Sequence, residues 1–264
     1  MSDRVIAAAW RALAARRRSA LIPYITAGFP SVAATADALR MLEAEGADLI
    51  EVGVPFSDPL ADGPVIQRST QAALDAGMSV RAMLDVVGSV RPAVPVIAFS
   101  YLNPILAYGV PRFLADAHAA GIAGLLLTDL PAGADPALEA DVAASPLALI
   151  RLLAPTTSGA RLRSAVHGAE GFLYLIARLG VTGAHTEVSA GLETMVRTVR
   201  AETPLPLAVG FGISRGEQAR RVAAFADGVV VGSALVERLA QEGIEGGARL
   251  MRELRGALDT VAAA

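Results

Sequence analysis

Two carboxylates, Glu51 and Asp62, lie at either end of a segment that is rich in proline and also carries Ser57 and Asp58. The apolar run 48–50 comes directly before it, so Glu51 falls inside or at the end of a short buried strand. Burying a carboxylate without a partner is costly because the charged form loses its hydration. Proteins accept this cost mainly where the group works as an acid or a base. Glu51 and Asp62 are therefore the first candidates for catalysis.

Structural roles for the same two residues stay open. Glu51 could pair with a buried cation, and Asp62, just ahead of Pro64, could cap the next helix. In the catalytic interpretation Glu51 is a rigid base below the substrate and Asp62 a mobile carboxylate above it.

Two glycine-rich turns near the end of the chain, 210–214 and 232–234, follow apolar runs. Glycine lets backbone N–H groups approach an anion closely, and a following helix N-terminus adds a favourable dipole. The turns thus predict a phosphate site, although both could be ordinary tight turns with Ser233 as an N-cap.

A third segment, 180–191, is long for a connection between a strand and a helix and is bracketed by glycines, which suits a lid. A surface loop is the alternative. Tyr24, Tyr101 and Tyr174 lie on or directly after three different predicted strands, where they could flank an aromatic substrate or simply pack.

Short aliphatic runs alternate with helical stretches along the whole chain. Runs of Val, Ile and Leu without alternation are typical of parallel strands buried on both faces. The predicted strands are 21–26, 48–52, 94–100, 123–128, 147–153, 171–176, 205–209 and 228–231. With a leading helix over 4–15 and a final helix over 244–261, they predict a (β/α)₈ TIM barrel. A doubly wound open sheet is the runner-up, but no GxGxxG follows the first strand.

The composition of the chain excludes several classes of function. The chain has 264 residues, a net charge of −3, no cysteine and three histidines. The chain therefore has no disulfide and no thiolate, and its three scattered histidines do not suggest a metal site. It also lacks the excess of basic residues expected for nucleic-acid binding. No run reaches membrane-spanning length, and the N-terminus does not resemble a signal peptide. We expect one cytoplasmic domain over 1–264, with its active site at the C-terminal ends of the strands.

Taken together, the motifs resemble the alpha subunit of tryptophan synthase over nearly the whole chain. The matching segments are 23–28, 51–63, 101–104, 129–131, 180–183, 210–214 and 232–233. The resemblance implies retro-aldol cleavage of indole-3-glycerol phosphate to indole and glyceraldehyde 3-phosphate. Phe172, where some members have tyrosine, is a departure that we expect to touch only the shape of the pocket.

Residue roles also follow from the resemblance. Glu51 would be the general acid and base, and Asp62 would handle the indole N–H. Thr182 would hold Asp62 when the lid closes. Substrate binding is expected from the tyrosines named above and from a phosphate site made by Gly183, Gly212, Gly232 and Ser233.

The family works as an α₂β₂ complex in which the beta subunit carries pyridoxal phosphate and receives indole, whereas no cofactor is expected in this chain. The expected contact residues are Pro55, Asp58, Asn103, Asp129 and Pro131. A stand-alone lyase that releases free indole shares the same catalytic residues. Two further alternatives are another phosphate-binding barrel, such as a sugar-phosphate isomerase, and a catalytically dead regulatory subunit.

Overall fold

The computed structural model describes residues 3–176, 190–210 and 212–262. Its eight parallel strands close into a barrel in sequence order, each paired with the next and β8 with β1. The strands are β1 Ala20–Thr26, β2 Ile50–Gly53, β3 Val96–Ser100, β4 Ile122–Leu127, β5 Ala148–Leu153, β6 Leu173–Ile176, β7 Leu207–Gly210 and β8 Gly228–Val231. The predicted TIM barrel is confirmed.

Helices surround the barrel. They are α1 Asp3–Ala15, α2 Val32–Ala44, α3 Pro64–Asp75, α4 Val80–Val90, α5 Leu102–Tyr108, α6 Val110–Ala120, α7 Pro136–Ala144, α8 Gly159–His167, α9 Ala190–Arg200, α10 Gly216–Ala223 and α11 Ser233–Ala262. No helix in the described part of the chain is long and apolar enough to cross a membrane.

The strands separate two apolar layers. On β1, Leu21 and Ile25 belong to the layer between barrel and helices, while Ile22 belongs to the core inside the barrel. This alternation arises because successive side chains of a strand point to opposite faces. The inside core also includes Ile6 and Trp10, so α1 closes the N-terminal end of the barrel.

Phe172 lies in this closed end. Its ring centroid is 5.6 Å from that of Trp10, and it does not line the cavity described below. The expectation that Phe172 shapes the substrate pocket is therefore wrong.

Most predicted elements are confirmed, with boundaries shifted by one or two residues, but two helical regions differ. Helix α5 was not predicted: the backbone N–H of Leu102 at its start is bound by the distant Asp129 carboxylate, a contact that local sequence cannot reveal. The final helix, predicted from 244, begins at Ser233. Gly243, with φ of 64°, kinks the helix between its two parts. The start of the first part falls in the segment 232–234, which the sequence predicted as a turn.

Candidate active site

A cavity of about 360 Å³ opens at the C-terminal ends of the strands. This is the end at which active sites of such barrels lie. Both candidate carboxylates, Glu51 and Asp62, line it. The structure therefore brings together two acidic groups that come from different levels of the site, one from a strand and one from a loop.

Glu51 projects into the barrel from β2, where it lies in register between Tyr24 of β1 and Ile97 of β3. Its side chain is 0% exposed, and neither carboxylate oxygen has a hydrogen-bond partner in the described part of the chain. Burial raises the pKa of Glu51 to about 8. The alternative in which Glu51 pairs with a buried cation finds no support among the described residues.

Asp62 lies on the loop between β2 and α3, above Glu51 in the same cavity. Burial raises the pKa of Asp62 to about 6, and the Tyr101 hydroxyl opposes that rise by favouring the charged carboxylate. The N-cap of α3 is Gly63, without a side-chain capping bond. The alternative in which Asp62 caps the helix is therefore wrong.

The three candidate tyrosines divide into two kinds. Tyr24 and Tyr174 line the cavity, whereas Tyr101 does not and instead accepts a 2.9 Å hydrogen bond from Ala61 N. Burial, the largest cause, raises the pKa of all three phenols. They are consequently neutral at physiological pH and can donate hydrogen bonds.

Two glycines leave room for the cavity tyrosines. A Cβ atom on Gly53 would overlap the Tyr24 hydroxyl, and one on Gly210 would overlap the Tyr174 hydroxyl. Tyr24 is also fixed by Phe99, whose ring meets it edge-on with centroids 5.2 Å apart. Each tyrosine position thus depends on a missing side chain on the adjacent strand, β2 for Tyr24 and β7 for Tyr174.

The predicted phosphate residues of the last two turns lie at the cavity wall. Gly212, Gly232 and Ser233 line it, and Ser233 is the first residue of α11. Gly212 adopts φ of 78°, a conformation that favours glycine. Thr182 and Gly183, with most of the predicted lid 180–191, lie outside the described residues.

Comparisons with known proteins agree with this geometry. Residues 10–261 match the family model described as tryptophan synthase alpha chain. The chain belongs to the tryptophan synthase alpha chain family.

Proteins that are similar to this chain carry the name of the family. The chain is 46% identical to the tryptophan synthase alpha chain of Synechocystis sp., over 96% of this chain and 98% of that one. It is 46% identical to the alpha chain of Geobacter sulfurreducens, over 88% and 89%. Among solved structures, Mycobacterium tuberculosis tryptophan synthase is similar with a TM-score of 0.91 and 38% identity, over 96% and 97%.

Family membership confirms the predicted activity class, a lyase of tryptophan biosynthesis acting as the alpha chain of tryptophan synthase. The stand-alone lyase receives no support from these relatives, because they carry the name of a synthase subunit. The structure gives no reason to favour the isomerase alternative.

Several residues of the cavity were not predicted from sequence. They are Ala61, Gly63, Pro64, Val65, Ile66, Phe99, Thr128, Leu152, Ile176, Val230 and Glu237. The period-two alternation of the strands could have found Phe99, Leu152 and Val230, since each shares the inward face of its strand with core residues. Glu237 gave no signal, because it lies one turn inside a helix whose start was misread.

The predicted partner residues lie at the same end of the barrel, Asn103 in the first turn of α5 and the others in loops. Asp58, Asn103, Asp129 and Pro131 are exposed. Pro55 is buried, so it does not itself present a contact surface. Leu60 adds an apolar side chain that is 90% exposed, which sequence reasoning missed. Among the described residues there is no group of three or more His, Asp or Glu that could hold a metal ion.

Proposed function

We propose that this cavity cleaves indole-3-glycerol phosphate into indole and glyceraldehyde 3-phosphate. The observation that carries the proposal is the wholly buried Glu51 carboxyl, which has no partner among the described residues and shares a cavity with Asp62. Their pKa values are raised to about 8 and about 6. Near pH 7 the first is mainly protonated and the second mainly ionised. One carboxyl can therefore donate a proton while the other stabilises positive charge.

The chemistry begins at indole C3. Glu51 donates its proton to C3, and the ring becomes a cationic tautomer with its positive charge centred on nitrogen. The Asp62 carboxylate accepts a hydrogen bond from this N–H and stabilises the charge. Without such a partner, developing a cation inside an apolar cavity would be strongly unfavourable.

Cleavage follows when the now ionised Glu51 removes the proton from the adjacent glycerol hydroxyl. The oxygen forms the aldehyde C=O, the carbon–carbon bond to indole C3 breaks, and its electron pair restores the C2–C3 double bond. The iminium electrons return to nitrogen. Glu51 ends protonated, as it began, so protons and electrons balance within the site.

The remaining residues bind and orient. Tyr24 and Tyr174, with the apolar wall of Phe99 and Leu152, suit an indole ring. We propose that the turns containing Gly212, Gly232 and Ser233 bind the phosphate, supported by the α11 N-terminus at Ser233. Thr182 and Gly183 are proposed to contribute from the lid.

We further propose that the chain acts as one domain over 1–264, in the cytoplasm, within an α₂β₂ complex. Its beta partner would carry pyridoxal phosphate and use the released indole to make L-tryptophan from L-serine. The exposed Asp58, Asn103, Asp129 and Pro131 would contact that partner, with Pro55 shaping the loop from below. Support comes from family membership and from the position of these loops beside the cavity.

The test is an assay of indole release from indole-3-glycerol phosphate, with and without an added beta subunit. Asp62→Asn and Glu51→Gln should each lower kcat by at least about a hundredfold. Asp75→Asn, an exposed carboxylate at the end of α3, is the matched control and should retain full activity. Retained cleavage by Asp62→Asn would refute its role, and strong turnover unaffected by the beta subunit would argue for a stand-alone lyase.

A further inference from the structure

A charged side chain, Arg151, is buried behind the barrel. It lies on β5 between Ile150 and Leu152, which both pack with the core inside the barrel, so Arg151 points outward to the helices. Its side chain is only 4% exposed. Burying a guanidinium this deeply is unfavourable unless its partners are well placed, which makes its contacts informative.

The partner of Arg151 is Glu139 in the first turn of α7. Arg151 Nη2 lies 2.6 Å from Glu139 Oε2, and the other carboxylate oxygen of Glu139 accepts a 2.7 Å hydrogen bond from Gly133 N. Arg151 Nη1 donates a longer bond, 3.4 Å, to the carbonyl of Leu130. This ion pair, with a buried arginine and a glutamate that is 20% exposed, thus contacts two points of the loop between β4 and α7.

This loop is connected to the active site by two further contacts. At its start, Asp129 Oδ1 accepts a 2.7 Å hydrogen bond from the backbone N–H of Leu102, the residue directly after Tyr101. Tyr101 in turn accepts the bond from Ala61 N, next to Asp62. These polar contacts, joined by the covalent backbone at residues 129–130 and 101–102, lead from β5 to the Asp62 loop.

We propose that Arg151 and Glu139 are positioning residues for the cleavage reaction. The pair fixes the loop 129–133, the loop fixes Tyr101 through Asp129, and Tyr101 fixes the backbone beside Asp62. The proposal rests on the proposed role of Asp62. It assigns a part in catalysis to two residues that lie outside the cavity.

The decisive variant is the double substitution Arg151→Leu with Glu139→Leu. Replacing both partners leaves no buried charge unpaired, so the fold should survive, whereas either single substitution would leave one charge without its partner. The double variant still loses the bonds to Leu130 and Gly133. We expect kcat for indole-3-glycerol phosphate cleavage to fall about tenfold, because small displacements of a catalytic group are costly.

A second readout separates positioning from general stability. With Tyr101 less well aligned, the pKa of Asp62 should rise, and the acid limb of the pH–rate profile should move to higher pH with it. KM should change less than about twofold, because the phosphate turns lie elsewhere. The matched control is Arg255→Leu, which breaks the 3.0 Å ion pair with Asp48 at the N-terminal end of the barrel. It should lower the melting temperature without moving the pH–rate profile.

Wild-type kcat and an unmoved pH–rate profile in the double variant would overturn the proposal. So would a loss of activity that merely parallels the loss of folded protein, as measured by circular dichroism at the assay temperature. A wild-type chain that releases no indole from indole-3-glycerol phosphate, with or without a beta subunit, would instead refute the proposed function itself. The two failures are thus distinguishable.

Discussion

The hydroxyl of Tyr101, at the end of β3, accepts a 2.9 Å hydrogen bond from the backbone N–H of Ala61, the residue before Asp62. A buried aromatic side chain therefore holds the loop that carries one of the two candidate catalytic carboxylates. The same hydroxyl lowers the pKa of Asp62 against the larger effect of burial. Tyr101 thus influences both where Asp62 lies and how readily it ionises.

Tyr101→Phe should lower kcat for cleavage by roughly tenfold, since the loop loses its anchor and an amide loses its partner. The pKa of Asp62 should rise, because a donor to the carboxylate is gone. The acid limb of the pH–rate profile would consequently move to higher pH. Tyr108→Phe, which removes a surface hydroxyl bonded to Asp116, is the control and should leave the profile unchanged.

Glu51→Gln should stabilise the folded chain while abolishing cleavage. The pKa of Glu51 is raised from 4.5 to about 8 in the folded state, so folding favours the protonated form. The wild type therefore loses stability as pH rises from about 4.5 to about 8, by up to about 1.4 kcal/mol per pH unit, and no further above that. The variant has no such group.

Urea unfolding of both proteins at a series of pH values measures this difference. The gap in unfolding free energy should widen across that window and then become constant. A gap that stays the same from pH 4.5 to 8 would contradict the raised pKa. Glu193→Gln, on the exposed face of α9, should show no comparable widening.

Gly53→Ala should lower stability and cleavage activity more than the addition of one methyl group usually does. The added methyl would overlap the Tyr24 hydroxyl, so the ring or strand β2 must shift, at a cost of about 1–3 kcal/mol. Activity should fall with stability because Glu51 is on the same strand. A second substitution, Tyr24→Val, should recover stability but not activity.

Thermal unfolding and cleavage assays of the single and double variants check this expectation. Gly256→Ala provides the comparison, since a Cβ there meets no atom within 4 Å and the site is helical. It should be neutral or slightly stabilising. Equal effects at the two glycines would contradict the steric explanation.

Leu60→Asp should weaken association with the beta subunit. An apolar side chain that is 90% exposed, near Asp58 in the loop that carries Asp62, is suited to burial against a partner. We expect the beta-subunit concentration for half-maximal stimulation of cleavage to rise by roughly tenfold. Val5→Asp, on the 53% exposed Val5 of α1, is the control at the opposite end of the barrel and should not change it.

The sequence by itself determined the barrel and was enough to single out Glu51 and Asp62 as the candidate catalytic carboxylates. Aliphatic runs without alternation, repeated in order with helices, specify parallel strands because both of their faces must be buried. An acidic residue next to such a run, like Glu51, is informative for the same reason: only function or a partner compensates its burial.

Only the tertiary structure decided what surrounds those carboxylates. Glu51 has no partner among the described residues, and Gly63, not Asp62, caps α3. Asp129 binds the first N–H of α5. These features depend on residues that are far apart in the chain. The same holds for Tyr101, which faces the Asp62 loop and does not line the cavity. Local patterns encode which segments form strands and helices, but hydrogen-bond partners and pKa values are set by what the closed barrel brings together.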